Sequence, residues 1–132
     1  MYIFIILFVL IIFFWIFLIL KFKKKKYKIS ANKISFFNTQ LKRLIANWNY
    51  KEQLIDMDKL YHKILLEWWY KWTFWEILKS EPSEIWNINT IWELHKLRNK
   101  LVHDFDILSE SLLKKKVENY KKQIIGLISQ FR

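Results

Sequence analysis

The chain has 132 residues, 53% of them hydrophobic and 19% aromatic, with a formal net charge of +11, one Gly, one Pro and no Cys. The missing cysteine excludes disulfides, thiol nucleophiles and Cys-ligated metals. The single Gly excludes glycine-rich phosphate loops, and the scarcity of Gly and Pro argues for helices joined by short turns. Three His without a nearby carboxylate cluster give no zinc-ligand pattern, so neither a metal nor another cofactor is expected.

Residues 1–20 carry no charge and are almost entirely Ile, Leu, Phe and Val, with Tyr2 and Trp15 the exceptions after the start. About 20 such residues at ~1.5 Å each span the ~30 Å hydrocarbon core of a bilayer, so a transmembrane helix is expected. A cleavable signal peptide would have basic residues before the apolar run and small residues after it. Instead Lys21, Lys23, Lys24, Lys25, Lys26 and Lys28 follow. These lysines mark the cytoplasmic side, so the expectation is an uncleaved single-pass anchor of the cell membrane with the bulk of the chain in the cytoplasm. They are also the expected contacts to anionic lipid headgroups. Residues 21–33 read as a basic juxtamembrane linker and residues 34–132 as one cytoplasmic domain. All 23 basic and 12 acidic side chains lie beyond Leu20. Six of the basic ones are these lysines, which leaves residues 29–132 with 17 basic against 12 acidic, a mild +5.

No stretch alternates as a strand, and no internal repeat is evident. A first helix of the domain is predicted from Ile34, Phe37, Leu41, Leu44, Ile45 and Trp48 at helical spacing. Asn49 with Glu52 three residues on reads as the cap of a second. Its apolar positions are Leu54, Met57, Tyr61, Ile64, Leu65 and Trp68, with Asp56, Asp58, Lys59 and Lys63 assigned to the opposite face. Thr73 and Glu76 form a capping-box pattern for a short third helix, which Ser80-Glu81-Pro82-Ser83 ends. Thr90 and Glu93 repeat that pattern for a helix reaching about Asp104. Ser109 caps a last helix with Leu112, Leu113, Val117, Tyr120, Ile124, Leu127, Ile128 and Phe131 buried. The fold class is all-α: an anchor followed by a four- to five-helix bundle. Most of Trp48, Trp68, Trp69, Trp72, Trp75, Trp86 and Trp92 are expected in the core. The alternative places Trp69, Trp72 and Trp75 at the headgroup level of the bilayer.

In the penultimate helix, Leu94, Leu97, Leu101 and Phe105 share one ~80° sector, the core face. Trp92, His95, Asn99 and His103 line a second sector that burial does not require. Trp92 and His95 are therefore expected on a dimer face, with a homodimer as the assembly. Arg98 borders the core face and is placed to pair with an acid of a neighbouring helix, and His103 to sit favourably at a helix C-terminus.

The run Arg98-Asn99-Lys100-Leu101-Val102-His103 resembles the R-x(4–6)-H motif of HEPN domains, including a polar residue directly after the Arg. The flanks, a Leu-rich helix before it and Asp-Phe-Asp-Ile-Leu-Ser with a long final helix after it, extend the resemblance over residues 48–131. The resemblance implies a helical bundle, usually dimeric, and in many members a metal-independent ribonuclease. There the Arg and His of two subunits converge on an RNA phosphate. It assigns Arg98, Asn99 and His103 as catalytic and RNA as a partner. The chemistry suits these residue types: His titrates near neutrality and can take a 2′-hydroxyl proton, while guanidinium offsets charge developing on phosphate. An ideal helix sets Arg98 and His103 ~140° apart, which favours residues meeting across a dimer over a pair within one chain. The alternative function is a non-catalytic HEPN-like dimerisation or interaction module tethered to the membrane.

Overall fold

The computed structural model describes residues 2–21, 29–68, 70–103 and 108–131. Lys23, Lys24, Lys25, Lys26, Lys28, Trp69, Asp104 and Phe105 lie outside the described residues, and of Lys21 only the backbone is described. Regular structure among the described residues is helical throughout: α1 (Tyr2–Lys21), α2 (Ala31–Ile45), α3 (Tyr50–Glu67), α4 (Phe74–Lys79), α5 (Ile88–His103) and α6 (Glu110–Ser129).

The backbone of α1 runs for 20 residues. Its side chains are described over residues 7–17, and all of these are exposed. That stretch is ~16 Å long at ~1.5 Å per residue, about half a bilayer core. Among the described residues no helix is long and apolar enough to cross a membrane.

The bundle begins earlier than its periodicity suggested. Ile29 is buried in the core and Ser30 caps α2, its Oγ accepting from the Lys33 amide at 3.4 Å. Residues 29–33, expected in the linker, therefore belong to the folded domain. Phe37 and Leu41, four residues apart, carry the buried face of α2. Lys42 and Arg43 lie in its last turn, where positive charge suits the helix dipole. The helix stops at Ile45, so Trp48 is not part of it and is 95% exposed.

Asn49 caps α3 as expected, its Oδ1 accepting from the Glu52 amide at 3.2 Å. Gln53 closes the preceding turn by donating to the carbonyls of Ile45 and Asn47. The helix is the centre of the bundle, packed on α2, α5 and α6. Leu54, Met57, Tyr61, Ile64 and Leu65 are all fully buried. Its last turn is covered by Trp68 set edge-on to Phe131, ring centroids 4.6 Å apart.

The capping box at α4 forms in full: Thr73 Oγ1 accepts from the Glu76 amide, and Glu76 accepts from the Thr73 amide at 2.9 Å. The second such pattern does not form. Asn87 Oδ1 accepts from the Thr90 amide at 3.1 Å, so α5 starts at Ile88 and Thr90 lies inside its first turn. Between them Glu81 takes a left-handed φ of 47° ahead of the buried Pro82. Ser109 caps α6, accepting from the Leu112 amide at 3.4 Å. Its buried stripe is Val117, Tyr120, Ile124, Leu127 and Ile128, while Leu112 falls on the exposed side.

The tryptophans are the main departure from expectation. Trp48, Trp72, Trp75 and Trp86 are more than half exposed, and Trp68 and Trp92 are only partly covered. The core is built from aliphatic side chains with Phe37, Tyr61, Phe74 and Tyr120. Leu97 is likewise partly buried, at the edge of the core rather than within it. Leu94→Ala, at a 1% exposed position, is expected to cost about 2–5 kcal/mol, as other large-to-small core changes do. Trp48→Ala should change stability by no more than about 0.5 kcal/mol. Urea titration of the full chain in mild detergent, followed by circular dichroism, measures both.

Candidate functional site

Asp58 lies 40° from Leu54 and 20° from Leu65 on an ideal helix, on the order of one residue's spread within the apolar stripe of α3. Periodicity therefore places it inward, and the structure leaves it 2% exposed rather than on the solvated face first assigned to it. A buried carboxylate must be paired or hydrogen-bonded, because desolvation of a lone one costs more than a domain can offset. Three side chains from two other helices meet it. Tyr120 of α6 donates its hydroxyl at 2.7 Å. His95 of α5 places Nδ1 3.1 Å from both carboxylate oxygens. Arg98 of α5 brings Nε to 3.5 Å of Oδ2. That nitrogen is buried and outside hydrogen-bond alignment, so Arg98 contributes as a charge partner to Asp58.

The polar chain closes through Asn99. A carboxylate only accepts, so a His95 proton is assigned to Nδ1, and Nε2 faces Asn99. Asn99 Nδ2 lies 3.4 Å from that Nε2, and Asn99 Oδ1 accepts from Arg98 Nη1 at 2.7 Å. The two contacts require the same orientation of the Asn99 amide. His95 is further fixed by Phe74 of α4, whose ring stands edge-on at 4.7 Å. His62 of α3 stacks on that Phe74 ring at 5.2 Å and meets the Trp72 carbonyl at 3.1 Å. Burial, and then the charge and hydrogen bond of Asp58, raise the Tyr120 hydroxyl well above its ordinary pKa. Burial also raises Tyr61, whose ring centroid lies 5.8 Å from that of Tyr120.

The expected site residues thus part company. Arg98 and Asn99 come together, and the ion pair of Arg98 with an acid of a neighbouring helix is present. His103 is exposed at the end of α5 and joins none of them. His95, expected on a dimer face, is 9% exposed and bound to Asp58, so it offers no surface to a partner. Trp92 is half-buried against Trp75 of α4, ring centroids 6.5 Å apart. Asp58 and Tyr120 were not singled out as site residues in the sequence. The signal for Asp58 was a charged residue inside an apolar stripe. Tyr120 offered none, because it reads as an ordinary core aromatic.

Two surface cavities, of about 270 and 430 Å³, lie along α6. Neither is lined by Asp58, His95, Arg98, Asn99 or His103. Among the described residues no group of three or more His, Asp or Glu side chains is positioned to hold a metal ion.

Asp58→Ala leaves a buried His and Arg without their carboxylate and is expected to destabilise the bundle by about 3–5 kcal/mol. Tyr120→Phe removes a hydrogen bond to a charged acceptor and should cost about 1.5–3 kcal/mol at neutral pH. The folded state holds the Tyr120 proton more tightly than the unfolded chain does. Stability is therefore full below pH ~10 and falls as the pH rises beyond it. Tyr61 and Tyr70 are also raised, Tyr70 by burial and by Glu84, so Tyr120→Phe should flatten this alkaline decline without abolishing it. Urea midpoints across the alkaline range measure the slope.

Compared with known proteins, the chain matches no family model, and no curated protein or solved structure is significantly similar to it.

Proposed function

We propose that this chain is a membrane-tethered, HEPN-like interaction module, with the Arg98–Asn99 pair serving the architecture of the bundle. One observation carries the choice of module over enzyme: the polar groups around Asp58 form a closed set. His95 directs Nδ1 at Asp58 and Nε2 at Asn99, and Arg98 is engaged by both. His103, exposed at the end of α5, stands apart from the guanidinium.

Support for the tether comes from composition and length. The 20-residue backbone of α1, with no charge over residues 2–20, has the length a bilayer core requires. The six lysines that follow favour the cytoplasmic side for the bundle. Protease added to intact cells should then leave the bundle whole. Its digestion, or recovery of a mature chain starting near Lys21, would refute the tether.

A second reading, a metal-independent endoribonuclease acting as a homodimer, is favoured by the exposure of His103 and by the 27% exposure of the Arg98 side chain. Two copies related by a two-fold axis would supply Arg98 from one and His103 from the other. His103 would take the 2′-hydroxyl proton while that oxygen attacks phosphorus. The 5′-oxygen would leave, giving a 2′,3′-cyclic phosphate. The module reading expects full-chain protein to leave RNA intact in chelator. Cleavage giving cyclic ends and lost in His103→Ala, with helical circular dichroism unchanged, would replace it with the nuclease. The dimer has its own test: Trp92→Glu should convert a dimer to monomers by light scattering in detergent.

A further inference from the structure

Three of the exposed tryptophans of the bundle, Trp72, Trp75 and Trp86, lie toward the end nearest α1 in the chain, whereas Trp48 lies at the other end, before α3. Ile29 packs into the core and Lys33 pairs with Glu67, so the chain enters the bundle at the C-terminal end of α3. Three contacts bring other segments to that end. Trp68 packs on Phe131 beyond α6, Tyr70 donates to Glu84 at 2.9 Å, and Gln130 donates to the Glu84 carbonyl at 2.8 Å. Trp72, Trp75 and Trp86 sit on these segments. The Trp72 carbonyl meets His62, in the second-last turn of α3. Trp86 is 96% exposed and shares a groove with Ser129 and Gln130 at the end of α6. Lys71 and Lys79 are exposed among them, and Lys79 Nζ stands 4.8 Å over the Trp75 ring. Of the acids at this end, Glu67, Glu76 and Glu84 are held by Lys33, Thr73 and Tyr70, while Glu81 is exposed beside Lys79.

We propose that this end of the bundle docks into the headgroup layer of an anionic bilayer, the one that holds α1, with Trp72, Trp75 and Trp86 at the interface and Lys71 and Lys79 against lipid phosphates. The proposal rests on the membrane-tether reading. Two arguments select a lipid surface as the occupant. The first is reach. Seven residues separate Lys21 from Ile29, eight Cα-to-Cα steps that at ~3.5 Å each extend ~28 Å at most, which keeps this end close to the bilayer. The second is chemistry. Indole rings with an apolar body and an N–H edge favour the water–lipid boundary, and the adjoining lysines and the lysine-rich tether match anionic headgroups. Docking this way orients the domain. Helix α5 starts two residues after Trp86 and carries His103 ~22 Å along its axis from that start.

The test uses the full chain with Trp15→Phe and Trp48→Phe, which remove the indole of α1 and the exposed indole at the far end of the bundle, reconstituted into phosphatidylcholine vesicles containing phosphatidylserine. Flotation after an alkaline carbonate wash reads the tether. Quenching of tryptophan emission by acyl-brominated lipid reads docking. The expected result is flotation with clear quenching. Trp72→Ser combined with Trp75→Ser and Trp86→Ser should lose most of that quenching while still floating, with circular dichroism unchanged. Trp86→Ser alone, at the most exposed position, should lose part of it. High salt or omission of phosphatidylserine should weaken it as well. Protein that fails to float removes the tether and the proposal with it. Protein that floats unquenched, with its indoles open to aqueous iodide, overturns docking alone. Protein that floats unquenched but shielded from iodide assigns this face to a second copy, which also overturns docking.

Discussion

The carboxylate of Asp58 ties the three largest helices of the bundle together. An ionised group in an apolar interior is tolerated only when partners surround it, and here they come from α5 and α6. Hydrophobic contacts between helices accept small slides and rotations, because one methyl can stand in for another. The Asp58 contacts do not, since each needs a particular atom at hydrogen-bonding or ion-pairing distance. Tyr120 sets where α6 lies along α3, and His95 with Arg98 sets where α5 crosses it. Helix α4 joins the same arrangement through Phe74, whose ring separates His95 from His62.

This bears directly on the meaning of the Arg98-to-His103 run. A guanidinium five residues from a histidine on a bundle helix suits phosphate chemistry, and it equally suits a buried acid on the next helix. Here the second use is present, and the partner is a residue 40 positions earlier in the chain. Asn99 shows the same duality. Its amide could face a ligand, but it lies between Arg98 and His95 and completes their hydrogen bonds. His103, last in α5, is the member left on the surface. The site is therefore a largely buried polar cluster, with His103 exposed at the end of the same helix.

The aromatic residues divide by type rather than by number. Tyr61 and Tyr120 are buried, yet each carries a polar hydroxyl. The tryptophans, with more apolar area, are mostly outside. A core closed by Leu, Ile and Met at this size leaves little room for bulky indoles. Among them Trp72, Trp75 and Trp86 lie toward the end where the chain enters the bundle, and Trp48 lies at the other end.

The sequence by itself determined the helical class and most helix starts. Those signals are local: Asn49, Thr73 and Ser109 cap the helices they precede because a side-chain oxygen three residues from an amide suffices. It determined the buried stripe of α3 and α6 for the same reason, a fixed angle per residue. It was less informative at the start of α5, where Thr90 with Glu93 matched a capping pattern but Asn87 supplies the cap. Asp58 was legible in part, since its angle placed it among Leu54, Tyr61 and Leu65. Its burial depended on partners 37 and 62 residues away, which no local pattern names. The exposure of the tryptophans was likewise a tertiary decision. A periodic indole marks a potential core position, but whether a neighbouring helix arrives to cover it depends on how the whole bundle closes around the Asp58 cluster.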